Sequence, residues 1–231
     1  MKSEKSRIHI SYRAHNRLTE ALAAEGHELA VLRPCSAVSE PISAHPDIFL
    51  CKLGSAPRSP VFRGNAGLLA PEYPKDVLYN AVITEKFLIC NTNTVSEELI
   101  RAARELYPDI MTIPVPQGYT KCSMVVVDES HFITGDRGIF RALEKYNKTR
   151  PDDRPAAECL LIEPGYVELP GYSRGFIGGA SGRIGDDIWF NGDIESHPEC
   201  EKIKAFIESC GLSVRSFEGL PLVDIGSIIE E

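Results

Sequence analysis

One order of elements recurs along the 231-residue chain: strand, tight turn, strand, helix, strand. It is plainest in residues 121–166, "KCSMVVVDESHFITGDRGIFRALEKYN…AECLLIEPGY". There Asp128-Glu129-Ser130 turns one strand onto the next, and a helix follows the capping pair Gly135-Asp136 with Ile139, Leu143 and Tyr146 on one face. Residues 175–219 repeat the order, with "WFNGD" standing where "FITGD" stood. Their helix carries Cys200, Ile203, Phe206, Ile207 and Cys210 on one stripe, and Gly211 stops it. A repeat of this kind constrains the fold more than composition does, because no single unit can bury its apolar face alone.

A third copy runs from "HPDIFLC" through an irregular stretch to "KFLICNTNTVSEELIRAARELYPDIMTIPV", its helix capped near Thr94 or Ser96. The fourth is split. "IHIS", a helix from about Arg17 to Glu25 and the strand "ELAVL" lie at the amino end, and "LPLVDIGSIIEE" at the carboxy end is expected to supply the missing strand. The expected architecture is α/β: a pseudo-symmetric α/β-propeller of repeated ββαβ units in a single domain, residues 1–231, with the first unit closed by the C-terminal strand. The units are 8–44 plus 220–231, 45–115, 116–168 and 169–219. An ordinary three-layer α/β fold with look-alike units is the alternative. The Pro-, Gly- and Ser-rich stretch near residues 54–76 reads as a long surface loop, and as a candidate lid over a site.

In a ring, the first strand of each unit lines the axis. Those strands open with "HPDIFLC", "KCSMVVV", "GFIGGAS" and "LVDIGS", whose polar members are His45, Asp47, Lys121, Cys122, Arg174, Ser181 and Asp224. A cysteine, a histidine and two carboxylates converging at one end of an axis is the composition of an activated thiol site. Cys122 is expected as the nucleophile on a strand, its pKa lowered by Lys121 or by a protonated His45. Lys121, one residue earlier, alternates to the opposite face. His45 is the expected general acid and base, and Asp47 orients it or holds substrate. Asp224, Arg174, Ser181 and Lys121 are the expected substrate contacts. Each residue also has a plain structural reading: His45-Pro46-Asp47 as a turn, and Cys122 as core.

These segments resemble the pentein family, which includes arginine deiminases, dimethylarginine dimethylaminohydrolases, amidinotransferases and a ribosome anti-association factor. "HPDIFLCK" is similar to the deiminases' His-any-Asp strand, "GYTKCSMVV" to the strand bearing their cysteine, and "GFIGGAS" to their Phe-Glu-Gly-Gly-Asp strand. The resemblance implies a cysteine-dependent hydrolase or transferase acting on a small amidine-, guanidine- or amide-like metabolite, with no cofactor and no metal. It equally implies the alternative of a non-catalytic module that binds a small ligand or a macromolecular partner. Two positions depart from the family: Ile177 and Ala180 stand where the hydrolases carry the Glu and Asp that hold a guanidinium group. The family also has five units, whereas four are legible in this chain unless residues 54–83 hold a degenerate fifth.

Bulk properties narrow the partners. A net charge of −8 and the lack of any basic run argue against nucleic acid. No stretch approaches the roughly 18 apolar residues of a membrane helix. "MKSEKSRIHISYR" lacks the apolar core of an export signal, and seven cysteines without a C-x-x-C pair are expected as reduced thiols in a cytoplasm. They are too dispersed for a zinc knuckle. The expected partner is a small-molecule ligand, and the sequence leaves the oligomeric state open. "GGASG" at 178–182 reads as a glycine-rich hairpin for close strand packing, or more weakly as a phosphate cradle. Asp186-Asp187 reads as a turn and Trp189-Phe190 as core. His9, His27, His131 and His197 show no partner in sequence.

Overall fold

The structure, a computed structural model, describes residues 5–231. It is a mixed α/β protein whose described residues form five small sheets, four of three strands and one of two. At the amino end, β1 (Arg7–Ser11) leads through α1 (Asn16–Ala24) to β2 (Glu28–Leu32), which pairs with it in parallel. Gly26, at φ +91°, makes the left-handed turn out of α1 that a Cβ would strain. Next come a short helical turn α2 (Pro46–Phe49), β3 (Leu50–Lys52) and β4 (Val61–Arg63), the last two forming the antiparallel two-stranded sheet.

The following unit has β5 (Val82–Ile83) antiparallel to β6 (Phe87–Cys90), then α3 (Glu97–Leu106), then β7 (Met111–Pro114) parallel to β6. The order repeats with α4 (Thr120–Ser123), β8 (Met124–Val126), β9 (His131–Thr134), α5 (Arg137–Thr149) and β10 (Glu158–Leu161). It repeats again with β11 (Ser181–Ile184), β12 (Asp187–Phe190), α6 (Cys200–Ser209) and β13 (Ser213–Arg215). The last strand, β14 (Ile229–Glu230), returns to the amino end and pairs antiparallel with β1, Ile8 opposite Glu230 and His9 opposite Ile229.

Each helix lies over its own sheet because its apolar stripe has nowhere else to go. Leu18 and Leu22 of α1 pack with Ile8, Ile10 and Trp189, and Ile139 and Leu143 of α5 with Phe87 and Phe132. Ile203 and Ile207 of α6 pack with Phe190. The expected caps form: Ser96 accepts from Glu98 N, and Asp136 accepts from the N–H groups of Gly138 and Ile139. No helix among the described residues is long and apolar enough to cross a membrane.

Two expectations are corrected. "HPDIFLC" does not pair with "KFLIC"; its strand β3 joins β4 from inside the supposed loop, while β6 takes β5, which follows that loop. The unit expected over 45–115 is therefore two sheets, the first without helix or third strand. The second correction concerns the residues that open the strands. His45, Asp47, Lys121 and Cys122 are not on strands: Asp47 lies in α2 and Lys121 and Cys122 in α4, each a single turn that ends where the strand begins. Pro46 at the first position starts α2, its ring already set at a helical φ. The side chain of Asn80 starts α4, its Oδ1 accepting from the N–H groups of Lys121 at 2.7 Å and Cys122 at 3.2 Å.

Candidate active site

Cys122 is buried at 2% exposure at the floor of a cavity of about 230 Å³. Its thiol donates to Asp47 Oδ2 at 2.9 Å, and Asn80 Nδ2 donates to its sulfur at 3.3 Å. The backbone N–H of Asp47 bonds to Gly226 O at 3.0 Å, which ties α2 to the segment before β14. Behind Asp47 stands the Lys121 amine. Ser227 Oγ lies 2.8 Å from Asp47 Oδ2 and accepts from Lys121 Nζ at 3.0 Å. Lys121 also donates to Gly178 O at 3.3 Å. Burial depresses the Lys121 pKa, and the negative field of Asp47 works against that.

His45 lines the same cavity at 1% exposure, and neither of its ring nitrogens has a hydrogen-bond partner. One ring nitrogen of His45, a carboxylate oxygen of Asp47 and Cys122 Sγ all lie within 4.8 Å of one another. Asp224 Oδ1 is 3.8 Å from His45 Nδ1. That carboxylate is held in place by the N–H groups of Phe176 at 2.9 Å and Gly226 at 3.0 Å. Burial raises the Asp224 pKa, opposed by His45. The second Asp47 oxygen, Oδ1, is buried and unpartnered as well. Leaving such groups unpaired costs about 1–3 kcal/mol each, a cost a bound ligand would remove.

Glycines make the convergence sterically possible. A Cβ on Gly179 would run into the Asp224 carboxylate, and one on Gly226, at φ +73°, into His45. "GGASG" is thus a close-packing segment. Its amides cradle nothing: Gly179 N donates to Cys122 O, Ala180 N to Phe176 O and Ser181 N to Gly178 O.

Of the expected site residues, Cys122, His45, Asp47 and Asp224 come together, and Arg174 lines the cavity as an exposed residue. No hydrogen bond or ion pair engages the Arg174 guanidinium among the described residues. Two expected substrate contacts are corrected. Lys121 lies behind Asp47 and does not line the cavity, because the turn of α4 swings it inward onto Ser227. Ser181 is fully buried with its hydroxyl on Gly178 O. A third correction is electrostatic: the Cys122 pKa is raised well above the ordinary thiol value, first by burial and then by Asp47 and Asp224. The 54–76 stretch is not the lid, since none of it lines the cavity. Tyr119, Tyr172 and Phe176 form its walls with Ile42 and Leu169, and Tyr119 stacks on Phe176 while donating its hydroxyl to the Asp76 carboxylate. His131 and His197, partnerless in sequence, engage Asp128 and Glu163 O respectively.

Asn80, Ser227 and Tyr119 were not legible as site residues. Asn80 lies in the irregular stretch between two sheets, and Ser227 reads as the tail of a terminal strand. The donor set His45, Asp47 and Cys122 is chemically able to hold a cation.

An α/β protein with a buried Cys–His–Asp cluster under an aromatic-walled cavity is thus the class that fold and site define. The chain belongs to a family of unknown function (DUF6873), whose model matches residues 59–229. No curated protein matches its sequence. Among solved structures it is similar to C. jejuni agmatine deiminase at 9% identity and a TM-score of 0.49, over 93% of this chain and 88% of that one.

Proposed function

We propose that the cavity is the active site of a cysteine-dependent hydrolase or transferase that cleaves a C–N bond in a small amidine-, guanidine- or amide-like metabolite. The observation that carries this reading is His45: a fully buried imidazole with both nitrogens unpartnered, beside a thiol and facing a cavity. The reading includes a pentein-like ring. It is supported by a narrow second cavity whose walls come from all five first strands, through Lys52, Val82, Val126, Arg183 and Ile229.

In this mechanism the cationic or polarised sp² carbon of the substrate sits over Cys122 Sγ, its N–H groups between Asp47 and Asp224. The substrate's positive charge offsets the two carboxylates that hold the thiol protonated. Cys122 then loses its proton to His45, and the sulfur attacks the carbon. The new S–C bond forms as the C–N bond breaks, and the imidazolium returns its proton to the leaving amine. Water, deprotonated by His45, or an acceptor amine then releases the acyl or amidino group and regenerates the thiol. Asp224 keeps the imidazole oriented. Arg174 at the rim suits a substrate whose far end is anionic.

The raised resting thiol also favours a second reading, a ligand-binding module in which Cys122 is only a hydrogen-bond donor. A panel of amidine, guanidino and amide metabolites, scored for ammonia or amine release and for thermal stabilisation, separates the two. Release abolished by Cys122→Ser supports the enzyme. Stabilisation without release across the panel, equal in Cys122→Ser, defeats it.

A further inference from the structure

A second thiol–imidazole–carboxylate cluster lies away from the cavity. Asp128 opens the turn between β8 and β9, His131 opens β9, and Cys210 caps the carboxy end of α6. One ring nitrogen of His131, a carboxylate oxygen of Asp128 and Cys210 Sγ all lie within 4.8 Å of one another. We propose that these three side chains form a binding site for one borderline-soft divalent cation of the zinc class.

The donor chemistry is what such ions take: one sulfur, one imidazole nitrogen and one carboxylate oxygen, with a fourth position left to water. The cluster is organised in advance. Asp128 Oδ1 is fixed by the N–H groups of Ser130 at 2.7 Å and His131 at 2.8 Å, so the carboxylate cannot swing away. Both its oxygens lie 2.9 Å from His131 Nδ1, so the nitrogen and oxygen donors already stand side by side. Phe206 packs edge-on against the ring with centroids 5.9 Å apart, closing one side. The thiol's bond to Phe206 O, at 3.4 Å, is weak. Entry is open, since the His131 and Asp128 side chains are 35% and 26% exposed.

The binding step is an exchange. The cation takes the place of the thiol proton and of any proton shared between ring and carboxylate, and these are released to solvent. No redox change is involved. Because β8 and β9 belong to one sheet and α6 covers the next, the ion would clamp two neighbouring units together. It would raise the melting temperature in proportion to its occupancy. Sequence could not suggest the site, since Cys210 comes from a different unit.

Co²⁺ is the direct probe, added to protein carrying Cys122→Ser so that the buried cluster contributes no sulfur-to-metal absorption. The expected result is a thiolate-to-cobalt charge-transfer band that saturates at one equivalent. Adding Cys210→Ser abolishes it, and adding His131→Ala weakens apparent affinity by about tenfold or more. In wild-type protein, Zn²⁺ should slow iodoacetamide alkylation of Cys210 at least about tenfold by peptide mass spectrometry, a readout that needs no variant to fold. A band indifferent to Cys210→Ser, or Cys210 alkylation as fast with Zn²⁺ as without, overturns the proposal and leaves Asp128–His131 as a turn-stabilising pair only.

Discussion

Asp47→Asn is the most informative single change at the cavity. It keeps the shape of the side chain and removes the charge 2.9 Å from Cys122 Sγ. At that distance and an effective dielectric constant of about 20, a carboxylate and a thiolate repel by about 6 kcal/mol. Lys121, through Ser227, already neutralises part of this field. The Cys122 pKa is therefore expected to fall, by less than the bare repulsion implies. The assay is the rate of iodoacetamide alkylation of the Cys122 peptide as a function of pH. Wild type should show its inflection above the free-thiol value of about 8.5, and the variant an inflection shifted to lower pH. Turnover of a cationic substrate should fall in the same variant, because a carboxylate that holds the substrate is lost. Coincident profiles, or an upward shift, would refute the assignment of Asp47 as a group that adds to burial in raising the thiol's pKa.

Alkaline conditions should destabilise the fold more than its carboxylates alone suggest. Burial pushes Cys51 and Cys159 up to about 12 and Cys90 up to about 11, and Cys122 is raised too. The native state thus keeps protons that the unfolded chain loses, and the stability they provide is intact below pH about 8.5. It declines as pH rises toward 11, at up to about 1.4 kcal/mol per pH unit for each thiol. Urea denaturation at pH 7, 9 and 10 checks the sign, and a stability that rises over this range would contradict it. Asn80→Ala should cost about 1–2 kcal/mol, because it strips the acceptor from two N–H groups of α4. It should also lower turnover by misplacing Cys122, and a variant of unchanged stability would show that Asn80 does not build that turn.

The β-hairpin, helix and parallel-strand order was legible because it rests on local signals: period-3.6 stripes in α5 and α6, the Ser96 and Asp136 caps, and the Gly26 stop. The return of the C-terminal strand to β1 followed from counting strands, since "IHIS" lacked a hairpin partner. What failed was the boundary between turn and strand. "KCSMVVV" reads as one extended run, because nothing local reveals that a side chain 41 residues earlier starts a helical turn at Lys121. The same applies to "HPDIFLC", where the apolar residues after Pro46 mask the turn α2. The short sheet β3–β4 has strands of three residues, too few for a clear alternation. Of the site, the types and convergence of Cys122, His45, Asp47 and Asp224 were readable. The sign of the thiol's pKa shift was not, because burial and a hydrogen-bonded carboxylate are properties of the assembled fold.

In the proposed reaction Cys122 forms a covalent bond to substrate carbon. Acid quenching of the enzyme during turnover of a releasing substrate, followed by peptide mass spectrometry, tests it most directly. The expected result is an acyl or amidino adduct confined to the Cys122 peptide, absent in Cys122→Ser, with His45→Ala slowing its formation and its hydrolysis. Amine release by wild type with no adduct at any quench time, or release that persists in Cys122→Ser, would contradict it.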